Sequence, residues 1–226
     1  MKVLKYAVIL LLGLSMTFMV SCTKDPNNGG NGGNNGGGSN NHAYVDLGLP
    51  SGTLWATCNV GADTPEGYGD YFAWGETTPK PSYTEENYKF YIYDPVDSVY
   101  KITKYCRRAE YGYNGFVDNL IILEAIDDAA TANWGEGWHI PSEVQWNELL
   151  QYTTRQVSYQ NNVRGLTLTG INNNSIFLPL PNDGNVKFYW TSTLSGNYSA
   201  VDFESPALDG EGREYGLLVR PVRSNQ

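Results

Sequence analysis

WGEGWHIPSEVQWNELL, residues 134–150, sets His139 beside tryptophans and carboxylates, the surroundings in which an imidazole can serve as a general base. The same letters also spell a helix start. Ser142 suits an N-cap, Gln145 three residues on completes a capping box, and Pro141 and Trp146 hold the two positions of a hydrophobic staple. Trp146, Leu149, Leu150 and Thr153 recur at helical spacing as one buried stripe. Trp138 and Trp146 are therefore read as core, and His139 as a structural polar residue bonded to nearby backbone. His42, the other histidine, falls in a tether. Acidic residues are numerous, but nothing in the sequence fixes two of them at the separation glycoside hydrolysis needs. No G-x-S-x-G elbow, Walker motif or strand–helix G-x-G-x-x-G occurs, and no Cys/His spacing suits zinc. No catalytic residue, metal or cofactor is assigned.

The segments that position these residues begin with an address. Residues 1–21 carry Lys2 and Lys5 ahead of the apolar run VILLLGL, the layout of a signal peptide. The segment ends in MVSC, which resembles a bacterial lipobox with Met19 in place of the commoner leucine. Cys22 is expected to be lipidated, each buried methylene contributing about 0.8 kcal/mol to membrane attachment. Residues 22–42 are mostly glycine and asparagine, a flexible tether whose random-coil reach is on the order of 25 Å. The expected setting is the cell envelope, as an outer-membrane lipoprotein facing outward, with the membrane as first partner.

Residues 43–226 are long enough for one domain with its own core. The chain carries a formal charge of −9, and −11 once Lys2 and Lys5 go with the signal, which argues against nucleic acid as a partner. Cys58 and Cys106 remain. They either pair, closing a long loop for about 3–4 kcal/mol, or stay buried as free thiols.

AYVDLGLPSGTLWATCNVG reads as a hairpin turning at PSG. Residues 76–117 are irregular and tyrosine-rich, a surface excursion with one or two short strands. Two helices follow, the first over DNLIILEAIDDAATANW from an Asp118 N-cap, with Leu120, Leu123 and Ala130 on its apolar face. After them RGLTLTG, NSIFLPLP, KFYWTSTL, SAVDFES and YGLLVRPVR are strand candidates, separated by NNN, NDGN, LSGN and LDGEG turns. The class is α+β with antiparallel sheets.

VDLGLPSGTLWATCNVGA, GDYFAWGET, DDAATANWGEGWHIPSEVQWNEL, NSIFLPLP, YWTST and GLLVRPVR together resemble the Fibrobacter succinogenes major paralogous domain family, in its Bacteroides-type lipoprotein version, over residues 44–223. The resemblance implies a C-type-lectin-like fold, with two flanking helices, long irregular loops and terminal strands that pair, Leu217 to Val222 near Val45 to Leu47. The family carries arginine where this chain has His139, and arginine stays protonated in proteins, so a catalytic histidine there is not implied. Formylglycine-generating relatives use a cysteine pair late in the domain; this chain has none after Cys106. The EPN, QPD and WND motifs of calcium-dependent lectins are missing. Asp128 is expected to bond backbone. Asp209, Glu211 and Glu214 crowd a turn read as a D-G hairpin turn with solvated charges.

The function expected from all this is a non-catalytic binding or adhesion module for a glycan or protein ligand. FYWTSTLSGNYSAVDF, residues 188–203, mixes aromatics with small polar residues as paratopes do. Phe188 and Trp190 are assigned to the core face, and Tyr189, Asn197 and Tyr198 are the ligand-binding candidates. An enzyme of formylglycine-generating or glycan-hydrolase type and a structural subunit of a surface assembly are the alternatives.

Overall fold

A computed structural model describes residues 42–181, 187–204 and 207–224. Residues 1–41, on which the expected signal segment, Cys22 and most of the expected tether fall, and the expected NDGN turn lie outside the described residues. Among the described residues, thirteen strands and two α-helices follow in chain order: β1 (Tyr44–Asp46), β2 (Leu54–Ala56), β3 (Tyr71–Phe72), β4 (Tyr91–Asp94), β5 (Val99–Ile102), α1 (Ala129–Trp134), α2 (Glu143–Tyr152), β6 (Thr154–Gln160), β7 (Val163–Thr169), β8 (Ser175–Pro179), β9 (Lys187–Leu194), β10 (Ser199–Glu204), β11 (Ala207–Gly212), β12 (Leu217–Leu218) and β13 (Val222–Arg223). They form sheets ordered β1-β2-β13, β11-β10-β9-β12-β3, β4-β5 and β6-β7-β8, all antiparallel except for the β9–β12 pair. The class is α+β, as the sequence indicates.

The five-stranded sheet has apolar cores on both faces. Leu217 and Leu218 are neighbours in β12, so their side chains leave opposite faces. Leu217 joins Trp74, Phe72, Trp138 and Trp190, whereas Leu218 joins Trp55, Trp146, Leu168 and Phe203. A strand with two dry faces has no solvated side for its polar residues. This overturns the exposed placement of Tyr189: it is fully buried, its hydroxyl donating to Pro179 O at 2.8 Å, and burial pushes its pKa up to about 12. Phe188 and Trp190 are also core, but on different sides. The β9–β10 register slips between Tyr189 and Lys187, a bulge that puts Phe188 with Tyr189 in one cluster while Trp190 faces the other.

α2 forms as its local signals dictate. The Ser142 side chain accepts from Gln145 N, the Gln145 side chain accepts from Ser142 N, and Trp146 and Leu149 are buried. The first helix is much shorter than its apolar pattern suggests. α1 starts at Ala129 with Asp128 as N-cap, its carboxylate accepting from Thr131 N (3.0 Å) and Ile140 N (2.8 Å), the backbone role expected of it. Asp118 caps no helix; its two oxygens take the backbone N–H groups of Tyr105, Cys106 and Leu120. Residues 121–123 instead run along the end of β9, with Leu123 N donating to Ser192 O and Leu194 N to Ile121 O. Isoleucine tolerates either state, and the open edge of β9 decides.

The terminal strands share a sheet, but β13 pairs with β2 (Val222↔Trp55), not with β1, which lies on the far side of β2. LDGEG is not a turn: residues 207–212 are an edge strand, with Asp209 opposite Asp202. Cys106 is a buried free thiol whose Sγ donates to Arg108 O, so the Cys58–Cys106 cross-link is not formed.

Candidate functional site

His139 lies where the chain returns to the first sheet. Its backbone exchanges two hydrogen bonds with Val222, at 3.0 and 2.9 Å. Gln145 Oε1 is taken by Ser142, so its amide nitrogen faces His139 Nε2 at 3.3 Å and donates to it. The side-chain partner is thus the capping glutamine, where backbone was expected. The other two tryptophans of the stretch, Trp134 and Trp138, are core and meet edge to face at 5.1 Å.

His42 is no tether residue. Its ring stacks on Trp134 at 3.8 Å and 6°, so the folded domain begins at or before it. Burial against the indole lowers its pKa below the ordinary 6.5. A depressed folded-state pKa means that the unfolded state takes the proton first, so this contact is at full strength above about 6.5 and weakens as pH falls through the folded value. Two results are expected: an NMR titration of His42 with a midpoint below 6.5, and lower amide protection factors around Ala43 at mildly acidic pH than at neutral pH, once the intrinsic pH dependence of exchange is divided out. A midpoint at or above 6.5 would contradict the stacked geometry.

The β4–β5 hairpin carries a set of tyrosines that sequence reasoning left in an unassigned excursion. Its register puts Tyr93 opposite Tyr100 and Tyr91 opposite Ile102. The turn between the strands is held by Asp94, which accepts from Val96 N at 2.9 Å, and by Ser98 at positive φ. Tyr198, in the bend between β9 and β10, closes against this hairpin. Its hydroxyl donates to Tyr100 O at 2.9 Å, and its ring meets Tyr91 and Tyr111 edge to face at 5.6 and 5.5 Å. Tyr100, Tyr111 and Tyr198 are half-buried and Tyr93 is 52% exposed. Asn197, also half-buried, sits next to Tyr198 in the bend. Of the three ligand-binding candidates, Asn197 and Tyr198 are thus at one surface and Tyr189 is inside.

Arg213 underlies this face. It is fully buried, with its guanidinium 5.6–5.8 Å from the ring centres of Trp74, Tyr88 and Tyr91. Nη1 donates to Tyr105 O at 3.2 Å. Nε and Nη2 have no hydrogen-bond partner among the described residues, so the aromatic rings supply much of the stabilisation of its charge. The Arg213 backbone fastens the face to the sheet, its N–H donating to Tyr198 O and its carbonyl accepting from Trp74 N. Beside it, burial, with help from Glu85 and Glu211, raises the pKa of Glu214. The result is a set of mutually braced rings with an acidic margin, suited to stacking and to accepting hydrogen bonds from hydroxyl or amide donors.

Away from this face, the buried carboxylate of Asp127 is engaged in structure. Asp127 accepts from Lys89, Lys104 and the Tyr105 hydroxyl; burial pushes its pKa up, but these bonds outweigh that and hold it low. Among the described residues no group of three or more His, Cys, Asp or Glu side chains is placed to hold a metal ion, and no helix is long and apolar enough to cross a membrane. No protein-family model, curated protein or solved structure matches the chain.

Proposed function

We propose that this chain is a lipid-anchored, non-catalytic binding module of the cell envelope, of C-type-lectin-like fold, that engages a glycan or protein ligand through its tyrosine face. The observation that carries the reading is the group of Tyr93, Tyr100, Tyr111 and Tyr198, drawn from separate segments, partly open to solvent and braced by one another. Rings fixed before binding lose little conformational entropy on contact, and tyrosine offers both an apolar face and a hydroxyl. The fold reading draws support from the first and last strands sharing one sheet and from α2, whose Trp146 packs edge to face on Trp55 of that sheet. The anchor rests on Cys22 and the segment before it.

The test is a screen of the chain against glycan and protein arrays, with and without calcium. Tyr93→Ala removes an exposed ring whose one ring partner among the described residues is Tyr100. It is expected to weaken any captured ligand at least tenfold, about 1.4 kcal/mol, with little change in stability. Tyr198→Ala is expected to do the same at some cost in stability, because its ring and hydroxyl brace the others. Binding that survives both changes would sink the reading.

A structural subunit of a surface assembly is the second reading. It rests on Ile121, Ile122, Ile126 and Val144, which are exposed. Ile122 pairs with Thr193, whose hydroxyl accepts from Glu143 N next to Val144, so part of this aliphatic set converges on the end of β9. No capture on either array would shift the weight to this reading.

A further inference from the structure

We infer that the partner of the tyrosine face is a basic protein segment, one of whose lysine or arginine side chains lies over Tyr93 and Tyr100 with its charge met by Glu85, Glu86 and Glu214. This inference rests on reading the face as a binding surface and names what that surface binds.

The acidic end of the face is built just before β4. Glu85–Asn87 is a single 3-10 turn, held at its end by Lys80 Nζ, which donates to Asn87 O and Oδ1 at 3.0 and 2.9 Å. Tyr88 N then donates to Glu85 O and Tyr91 N to Tyr88 O, so the turn leads straight into the hairpin. Glu85 and Glu86 are exposed. Both act on Tyr100: burial, and then the charges of Glu86 and Glu85, raise its pKa. Glu214 comes from the far end of β11. Its carboxylate is tucked over Gly212, where a Cβ would lie 2.8 Å from Oε1. Its charge reaches Tyr91, whose pKa burial already raises. The rings of Tyr93 and Tyr100 stand 5.4 Å apart at 66°, which allows one cation to lie within about 6 Å of both centres.

Charge decides the occupant. Among the described residues, Glu76, Asp97, Glu110, Glu124 and Asp127 each have a lysine or arginine within ion-pair distance, whereas Glu85, Glu86 and Glu214 have none. Burial raises the pKa of Glu214, and the charges of Glu85 and Glu211 raise it further, so like charges repel one another in the free chain. A bound cation relieves that repulsion, a neutral sugar leaves it, and an acidic ligand adds to it. The cations already at the face are engaged. Lys101, towards Tyr198, is held by Asp97 Oδ2 at 2.8 Å and by Glu110 O at 3.0 Å, and Arg213 is closed off beneath the rings. The formal charge of −9 also draws a basic partner from a distance.

Fluorescence anisotropy of labelled oligolysine and oligoarginine peptides on the full chain tests this. Both are expected to bind, and to weaken as salt rises from about 0.01 to about 1 M, which shortens the screening length from roughly 30 to 3 Å. Tyr93→Ala should weaken binding about tenfold at unchanged net charge, the scale of a desolvated cation–π contact. Glu85→Gln with Glu86→Gln should weaken it about fivefold at an unchanged urea midpoint, because neither carboxylate has an ion-pair partner to lose among the described residues. Asp63→Asn with Glu136→Gln removes the same charge from the β2–β3 and α1–α2 loops and should change binding less than about twofold. Equal losses from the two double variants would mean attraction by net charge alone and overturn the inference, as would peptides that do not bind. In that event, a neutral oligosaccharide captured by the parent and lost in Tyr93→Ala would leave the face a binding surface with a different ligand. If no capture depended on Tyr93, both readings would fall together.

Discussion

Arg220→Ala is expected to cost the domain on the order of 4 kcal/mol, enough to unfold a large part of it under mild denaturant. Arg220 has no solvent exposure, and its three nitrogens reach three different parts of the fold. Nε donates to Asn59 Oδ1 at 2.8 Å, Nη1 to Ala56 O in β2 at 3.0 Å, and Nη2 to Phe177 O in β8 at 3.0 Å. Asn59 in turn donates to Tyr68 O and faces the Tyr189 hydroxyl in β9. One side chain thus joins the first sheet, the central sheet and the sheet of β6–β8. Bonds from a charged donor are each worth about 1.5–3 kcal/mol net, and a buried acceptor left bare costs about 1–3. Against this stands the cost of keeping a guanidinium dry, which lowers its pKa while leaving it charged. Alanine would remove that cost but leave three acceptors bare and a cavity where the fork was, so the losses win. Lysine should not rescue, because a single ammonium cannot reach three acceptors arranged for a planar fork. Urea titration of Arg220→Ala, Arg220→Lys and Asn59→Ala checks this. A loss below about 1 kcal/mol for Arg220→Ala, the size of a single ordinary hydrogen bond, would mean the fork holds nothing together.

That role was faintly written in GLLVRPVR, where a charge interrupts an otherwise apolar strand run. The partners were not legible, since they lie up to 164 residues away. The same division holds elsewhere. α2 and its cap were readable because capping and the Trp146/Leu149 stripe are local. β7, β8, β9 and β10 were readable because apolar residues cluster in them. β6 was not: TRQVSYQ has no apolar face, and its pairing follows from the Asn161–Asn162 turn and from β7. Tyr189 was misplaced because alternation was taken to imply one wet face, whereas β9 has a core on either side. The tyrosine face was half legible. Tyr198 and Asn197 stood out by composition, but Tyr93 and Tyr100 come together only through the hairpin register. Tyr91 and Tyr93 at alternate positions before Pro95 were the available signal.

Trp146 sets a second test, in which two substitutions at one site should differ. It is fully buried in α2, edge to face with Trp55 at 5.0 Å, stacked on Phe203 at 4.9 Å and 11°, and 5.8 Å from Tyr189. Trp146→Ala is expected to cost about 3–5 kcal/mol, the range for emptying a large aromatic site whose walls cannot collapse. The walls here are rings held from three sides, which argues for the upper half of that range. Trp146→Phe should cost far less, about 1 kcal/mol. The phenyl ring keeps the stack on Phe203, and the indole Nε1, which has no hydrogen-bond partner among the described residues, is a buried donor whose removal relieves part of the packing loss. Ser142→Ala, which removes only the N-cap of the same helix, should also cost about 1 kcal/mol and so sets the scale for a purely local loss. The variants are compared by urea titration, with near-UV circular dichroism reporting the packing of the rings. If phenylalanine proved as damaging as alanine, the indole N–H would be doing more than filling space. In that case α2 would be fixed by a polar contact, and the strain of losing it would pass through Gln145 to His139 and the β13 end of the first sheet.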